Sequence, residues 1–146
     1  MKGSIDFINQ RIVVDCSVLI KTFLGEEDST LIEELLVLHK KQQLALISSP
    51  LIVFELLNVL SKTLKDPKLV AQCFKTFKAL KLISLELSDD YIVEAFIKSC
   101  MEKDISYYDS SYHALAKDMD GIFLTADKKY YEATKDEGNI VLYQSL

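Results

Sequence analysis

The sequence predicts an α/β domain of three layers, in which helices cover both faces of a central parallel sheet of about five strands. Short apolar runs alternate along the chain with helical segments roughly a dozen residues long. This alternation is typical of β-α-β units with right-handed crossovers. The 146 residues include only four glycines and two prolines, so no stretch resembles a linker. Residues 1–146 are therefore interpreted as a single domain, with 1–10 as a short, frayed or lightly docked segment.

The first half of the chain supplies two strands and four helices. Its first strand is apolar on both faces, as in the centre of a parallel sheet. Capping or proline signals start helices at Asp28 to Thr30, at Ser48 to Pro50 and at Asp66-Pro67. The helix at 51–64 is apolar nearly all round and is predicted to be buried. In order, the elements are strand 11–15, helix 17–24, helix 31–38, strand 44–47, helix 51–64 and helix 67–80.

The second half continues the alternation with three more strands. Ser88 to Asp90 cap one helix, and Ser106 begins the next. The elements are strand 82–87, a helix from 88 to about 101, helix 106–118, strand 121–125, a short helix from Asp127 and strand 139–143.

Net charge and cysteine content exclude several function classes. A formal charge of −5 and a pI of about 5.0 argue against a highly basic, non-specific nucleic-acid binder, although a bound divalent metal and a local lysine patch could reverse the potential at one site. The three cysteines are widely separated, and with two scattered histidines they form no zinc set. Because neither a secretory signal nor a membrane span is visible, we expect a cytoplasmic protein with free thiols.

Four acidic residues sit where the apolar segments stop or are interrupted. Each of three has an ordinary structural explanation, since Asp15 and Asp127 could be helix N-caps and Asp109 could form a capping box with Ser106. Glu55 lies inside an apolar helix, where no capping role exists, and a buried pair with Lys62 two turns away is the remaining structural explanation.

Taken together, the four carboxylates predict a shared metal site. Ligands of parallel sheets bind beyond the carboxyl ends of the strands, where Asp15 and Asp127 fall. Two charges about 4 Å apart repel by roughly 4 kcal/mol at an effective dielectric near 20, so a cluster without a cation would take up protons. Mg²⁺ or Mn²⁺ accepts such hard oxygen ligands and would support phosphodiester hydrolysis by an activated water.

Four segments resemble blocks of the PIN-domain ribonucleases. They are VVDCSVLIK from Val13, SSPLIVFELLNVL from Ser48, YYDSSYHALA from Tyr107 and IFLTADKKYY from Ile122. The four occur in order and cover roughly residues 11 to 143. The size of the chain, without a zinc-binding extension, looks most like the VapC-type toxins of toxin–antitoxin pairs and similar stand-alone PIN proteins.

The resemblance implies a site and an activity. Asp15, Glu55, Asp109 and Asp127 would be the acidic set, with Asp15 and Asp109 as the most direct metal ligands. Ser17 and Thr125 would orient the acids, and Asn58 matches a frequent polar position. The family implies a Mg²⁺- or Mn²⁺-dependent endoribonuclease that acts on RNA, frequent homodimers and, for toxins, an inhibiting antitoxin. Cys16 departs from the usual small residue such as alanine, but is nearly as small.

Other polar residues have two open interpretations. Lys128, Lys129 and Lys62, with Lys21, could face phosphate or could simply be solvated. Tyr107, Tyr108 and Tyr112 could stack on bases, although core or interface packing is the commoner role. His113 is expected to be packed or solvated rather than catalytic. His39 is expected at the surface. The helical residues 31–38 and 74–80 could form a dimer or antitoxin surface or belong to the core.

Three functions remain open at this point: a toxin ribonuclease, a PIN nuclease of RNA processing or decay without an antitoxin, and a non-catalytic scaffold binding RNA or protein. Intact acids at all four positions argue against the scaffold. A receiver-like phosphorylation domain is disfavoured because the chain lacks two adjacent early acids.

Overall fold

The computed structural model of the protein describes residues 6–143. Five strands form one parallel sheet in the order β3-β2-β1-β4-β5. The strands are β1 Arg11–Val14, β2 Ala45–Ser48, β3 Ile83–Ser84, β4 Ile122–Thr125 and β5 Ile140–Leu142. The helices are α1 Cys16–Leu24, α2 Thr30–Lys40, α3 Leu51–Leu64, α4 Pro67–Ala79, α5 Asp90–Lys103, α6 Tyr107–Asp118 and α7 Lys128–Thr134, followed by a 3-10 turn at Lys135–Glu137.

Strand β1 lies at the centre of the sheet and is covered on both faces. Its residues Ile12, Val13 and Val14 are fully buried although their side chains alternate between the two faces. Helices therefore pack on each side of the sheet, which confirms the predicted α/β fold with a five-stranded parallel sheet.

The N-terminal segment contacts the core within its described part. Phe7 is buried in the main hydrophobic cluster, and the backbone N–H of Asn9 donates to Gln43 O at 2.7 Å. Phe7 and Asn9 therefore connect the described part of this segment to the rest of the domain. Residues 1–5 of the predicted segment, and residues 144–146, lie outside the described part of the chain.

Strand β3 and helix α3 differ most from their predictions. Only two residues of the predicted strand 82–87 pair with β2, because Ile83 and Leu85 lie at an exposed sheet edge. Helix α3 was predicted to be buried, which is wrong for one face: Ile52, Leu56 and Leu60 are buried, whereas Phe54 is 71% exposed. Leu51, Leu57, Val59 and Leu64 beside this stripe are partly buried against the core clusters, so the exposed apolar residue of α3 is Phe54.

His39 is not a free surface residue. Its ring nitrogen Nδ1 accepts from the backbone N–H of Leu46 at 3.1 Å, and Nε2 lies 3.0 Å from Lys81 O. Because Nδ1 is an acceptor, Nε2 carries the proton and donates to the carbonyl. The histidine therefore joins the C-terminal end of α2 to strand β2 and to Lys81, two residues before β3.

None of the helices between residues 6 and 143 combines the length and apolar character that crossing a membrane requires.

Candidate functional site

The chain changes direction across the sheet at β1. It passes from β1 to β2 and β3 on one side, and later to β4 and β5 on the other. The carboxyl ends of β1 and β4 thus border a topological switch point, where ligands bind in open parallel sheets. Asp15 directly follows β1, and Asp127 lies two residues after β4.

Asp15 is both a helix cap and part of a polar cluster. Its Oδ1 accepts from the backbone N–H of Val18 at 3.3 Å, which caps α1, and from the Ser17 hydroxyl at 2.5 Å. Its Oδ2 accepts from the Thr125 hydroxyl of β4 at 2.8 Å. The two neighbouring strands therefore fix the orientation of this carboxylate.

Asp127 is joined to the same cluster through Thr125. Its Oδ1 accepts from the backbone N–H of Tyr130 at 3.0 Å, which caps α7, and its own N–H donates to Thr125 Oγ1 at 3.1 Å. The backbone N–H of Ala126 donates to Ser17 Oγ at 3.0 Å. Ser17 and Thr125 thus tie the end of β4 to the start of α1.

Glu55 and Asp109 project from helices α3 and α6. Asp109 lies in the first turn of α6, whose cap is Ser106, with its Oγ accepting from the N–H of Tyr108 at 3.1 Å. Ser106 is therefore an ordinary N-cap, and neither of the two hydrogen bonds of the predicted capping box with Asp109 forms among residues 6–143. Glu55 lies in the second turn of α3 and is half-buried.

One cavity of about 240 Å³ brings the four carboxylates together. Its wall consists of Asp15, Cys16, Ser17, Ile20, Glu55, Val59, Asp109, Tyr112 and Asp127. Residues separated by up to 112 positions in the sequence therefore share one concave surface at the carboxyl edge of the sheet.

The cavity disfavours negative charge. Burial raises the pKa of Asp15 to about 6, against hydrogen bonds from Ser17 and Thr125 that lower it. Burial likewise raises the pKa of Glu55 to about 7, with further contributions from the charges of Asp15 and Asp109. Partial burial, and then the nearby Asp127, also raise the pKa of Asp109. Each shift means that an ionised carboxylate here lacks sufficient stabilisation.

No basic side chain compensates these acids in the described part of the chain. The ion pairs found between residues 6 and 143 all involve other carboxylates. Over the same residues, no three His, Cys, Asp or Glu side chains are close enough together to enclose a cation by themselves. The oxygen donors suit Mg²⁺ or Mn²⁺, and an open arrangement leaves positions for water and a substrate oxygen.

Several predicted site residues lie outside the cavity wall. Asn58 and Lys62 are exposed on α3, and Lys128 and Lys129 are exposed in the first turn of α7. Lys62 pairs with no carboxylate among the described residues, which removes the Glu55–Lys62 pair as an explanation of Glu55.

Four wall residues were not predicted as metal ligands or supporting residues: the apolar Ile20 and Val59, and Cys16 and Tyr112. Tyr112 was considered for stacking on bases, which its burial excludes. Tyr112 lies one helical turn after Asp109, so the i, i+3 spacing could have placed it on the same face. Cys16 was noted only as a departure from the family pattern. Burial, and then the charges of Glu55 and Asp15, raise the pKa of its thiol to about 12, so Cys16 is a neutral wall residue.

His113 is packed in the core. It is 1% exposed, its Nε2 donates to Gly138 O at 2.6 Å, and its Nδ1 lies 2.9 Å from Tyr130 Oη. The Tyr130 hydroxyl also lies 3.2 Å from Ser110 Oγ. These contacts connect α6, which carries Asp109, to α7, which Asp127 caps.

A family model and solved structures match the chain. The model described as the PIN domain matches residues 12–136. No significantly similar sequence was found among curated proteins.

Two solved structures are similar to the chain at 17–18% identity, which supports the fold alone. One is PAE2754 from Pyrobaculum aerophilum, with a TM-score of 0.64, 18% identity, and coverage of 96% of this chain and 94% of that chain. The other is a chain of a toxin–antitoxin complex from Klebsiella pneumoniae, with a TM-score of 0.65, 17% identity, and coverage of 90% of this chain and 97% of that chain.

Proposed function

We propose that this chain, which belongs to the PIN-domain family of nucleases, is a divalent-metal-dependent endoribonuclease and the toxin of a toxin–antitoxin pair. The observation that carries the catalytic part is the single cavity whose wall contains four carboxylates and, within residues 6–143, no basic partner for any of them. Such a set is stable in ionised form only with a bound cation.

The proposed ligands follow from the contacts of each acid. Asp15 and Asp109 would hold Mg²⁺ or Mn²⁺ most directly, and Glu55 and Asp127 would complete the site partly through water. Ser17 and Thr125 would orient Asp15, because both hydroxyls donate to its carboxylate. When bound, the ion supplies an acidified water and neutralises charge on the phosphate and the leaving oxygen.

We infer that the substrate is single-stranded RNA. Lys128 and Lys129, exposed beside Asp127, and Lys62 on α3 would provide local positive charge for the RNA backbone. Tyr107 and Tyr108 are exposed directly before Asp109, where their rings could stack on bases.

The toxin assignment is supported by similarity in fold and extent to a chain of a toxin–antitoxin complex. We infer a cytoplasmic homodimer that a partner antitoxin inhibits. Free Cys16, Cys73 and Cys100 accord with a reducing compartment.

The catalytic proposal is tested by replacing Asp15 or Asp109 with asparagine. We expect Mn²⁺-dependent cleavage of single-stranded RNA to fall at least about 100-fold, because several kcal/mol of metal-supplied stabilisation are lost. Asp90→Asn is the matched control for Asp109→Asn, since Asp90, like Asp109, is an exposed acid in the first turn of a helix but lies outside the cavity. Undiminished cleavage by Asp15→Asn, or an equal loss in Asp90→Asn, would contradict the assignment.

The toxin proposal needs a separate test in cells. Expression of the wild-type chain should arrest growth, Asp15→Asn should not, and co-expression of the small protein encoded beside it should restore growth. Active nuclease without growth arrest would favour the nuclease of RNA processing or decay.

A further inference from the structure

The hydroxyl of Tyr112 is a buried polar group in the cavity wall without a complete hydrogen bond. Tyr112 is 1% exposed, and its Oη has no partner, as is also true of Ser49 Oγ and Thr22 Oγ1 among residues 6–143. Buried hydroxyls are normally paired, and leaving one unpaired costs roughly 1–3 kcal/mol. An unpaired hydroxyl at this position therefore indicates a partner that is supplied by a ligand-bound state.

The ring of Tyr112 cannot turn its hydroxyl towards solvent. It stacks on Phe123 of β4, with ring centroids 6.1 Å apart and planes inclined by 19°. Both rings are fully buried in the main core cluster. The core therefore fixes the phenol oxygen at the cavity wall, one turn along α6 from Asp109.

The surroundings determine which way the hydroxyl donates. A phenol ordinarily ionises only at about pH 10, so the hydroxyl of Tyr112 keeps its proton and can act as a donor. Both oxygens of Asp15 already accept from Ser17 and Thr125. Glu55 accepts no hydrogen bond among residues 6–143, and it lines the same cavity wall as Tyr112.

We propose that Tyr112 is a positioning residue whose hydroxyl holds the Glu55 carboxylate towards the cavity when a divalent cation is bound. Hydroxyl donors behind a metal ligand commonly fix its orientation in this way. This inference rests on the proposed function, because it requires a metal-binding cavity.

The test compares Tyr112→Phe with Tyr143→Phe, using Mn²⁺ titrations followed by electron paramagnetic resonance and thermal unfolding without metal. Tyr143 is equally a buried tyrosine, but its hydroxyl accepts from Ile32 N–H at 3.1 Å and donates to Asp28 O at 2.6 Å, outside the cavity wall. We expect Tyr112→Phe to weaken Mn²⁺ affinity about tenfold without lowering the metal-free melting temperature. Tyr143→Phe should show the reverse, with a lower melting temperature and unchanged Mn²⁺ affinity.

A double-mutant cycle then identifies Glu55 as the partner. In a Glu55→Ala background, Tyr112→Phe should have no further effect on Mn²⁺ affinity. Equal Mn²⁺ affinity of Tyr112→Phe and wild type, additive effects in the cycle, or a loss of affinity that follows a lower metal-free melting temperature would each overturn the positioning role. Absence of Mn²⁺ binding by the wild type would overturn the proposed function as well.

Discussion

Three donors bond to the carboxylate of Asp15, which offers about four lone-pair sites. Val18, Ser17 and Thr125 occupy three of these sites. About one lone pair therefore remains for a cation, which favours coordination through a single oxygen in a fixed direction. The structural explanation of Asp15 as an N-cap and the functional one are compatible, because different lone pairs serve them.

Replacing Thr125 tests this arrangement. Thr125→Val keeps the shape but removes the donor to Asp15 Oδ2 and the acceptor of the Asp127 N–H. We expect Mn²⁺ affinity to fall about tenfold and the free energy of unfolding to fall by about 1–3 kcal/mol. Thr125→Ser, which retains the hydroxyl, is the control in calorimetric titration and urea unfolding. If Thr125→Val bound Mn²⁺ as tightly as wild type, Thr125 would have no role in supporting the metal site.

His113 should make stability sensitive to acid. Burial lowers its pKa to about 4; Lys117 and Lys103 act in the same direction, while Gly138 O and Glu137 oppose them. The folded protein binds a proton at His113 less well than the unfolded chain does. The free energy of unfolding is therefore highest above about pH 6.5 and falls as the pH is lowered towards about 4. At roughly 1.4 kcal/mol per pKa unit, the contribution is of order 3 kcal/mol.

The measurement is urea unfolding of wild type and His113→Gln between pH 7.5 and 4. Other groups titrate in both proteins, so the difference between the two unfolding free energies isolates the histidine. As the pH falls, the free energy of unfolding should decrease more in wild type than in His113→Gln. A difference that stays constant with pH would show that His113 is not held neutral by the fold.

Among the elements, those with buried centres were predicted well and those at the periphery less well. Strand β1 was identified because β-branched residues buried on both faces leave a continuous apolar run. The short extent of β3 and the exposure of the outer face of α3 could not be predicted, since Ile83 and Phe54 are as apolar as core residues. Their exposure depends on which layers exist beyond them, and local sequence does not contain that information.

Gly121 sets the distance between β4 and β1. A Cβ atom at Gly121 would lie 2.5 Å from the carbonyl oxygen of Arg11, a backbone atom that cannot rotate away. We expect Gly121→Ala to lower the free energy of unfolding by about 3 kcal/mol, the upper part of the range for overpacking. The comparison is Gly25→Ala, where φ is +61° but no atom lies within 4 Å, and where about 1 kcal/mol of backbone strain is expected. A smaller loss for Gly121→Ala than for Gly25→Ala, measured by urea unfolding, would contradict the close approach.

Across the whole molecule, the fold gathers charges that the sequence separates. The four acids could be selected from the sequence because each interrupts or ends an apolar segment, and their common cavity follows from the parallel order of β1 and β4. The contribution of Tyr112 could not be predicted in the same way. A tyrosine on a buried helix face gives no sign in the sequence of whether its hydroxyl is paired.

Without metal, the clustered carboxylates lower the free energy of unfolding. The titration of Glu55 makes this loss measurable. Its pKa is raised from an ordinary 4.5 to about 7, so in that window the unfolded chain ionises before the folded protein does. The free energy of unfolding should therefore fall as the pH rises through the window and remain low above it. After allowance for solvent screening, the loss is about 1–2 kcal/mol.

Glu55→Gln should consequently reverse its effect when metal is added. Without metal at pH 8, the variant should melt above wild type by roughly 3–6 °C, and the advantage should vanish at pH 4, where the wild-type carboxyl is neutral. Saturating Mn²⁺ should raise the melting temperature of wild type through preferential binding to the folded state. The same Mn²⁺ concentration should raise that of Glu55→Gln much less, because one oxygen ligand has lost its charge. If metal-free Glu55→Gln melted below wild type at pH 8, the carboxylates would be stabilised by the protein alone, and a cation would not be needed to hold them together.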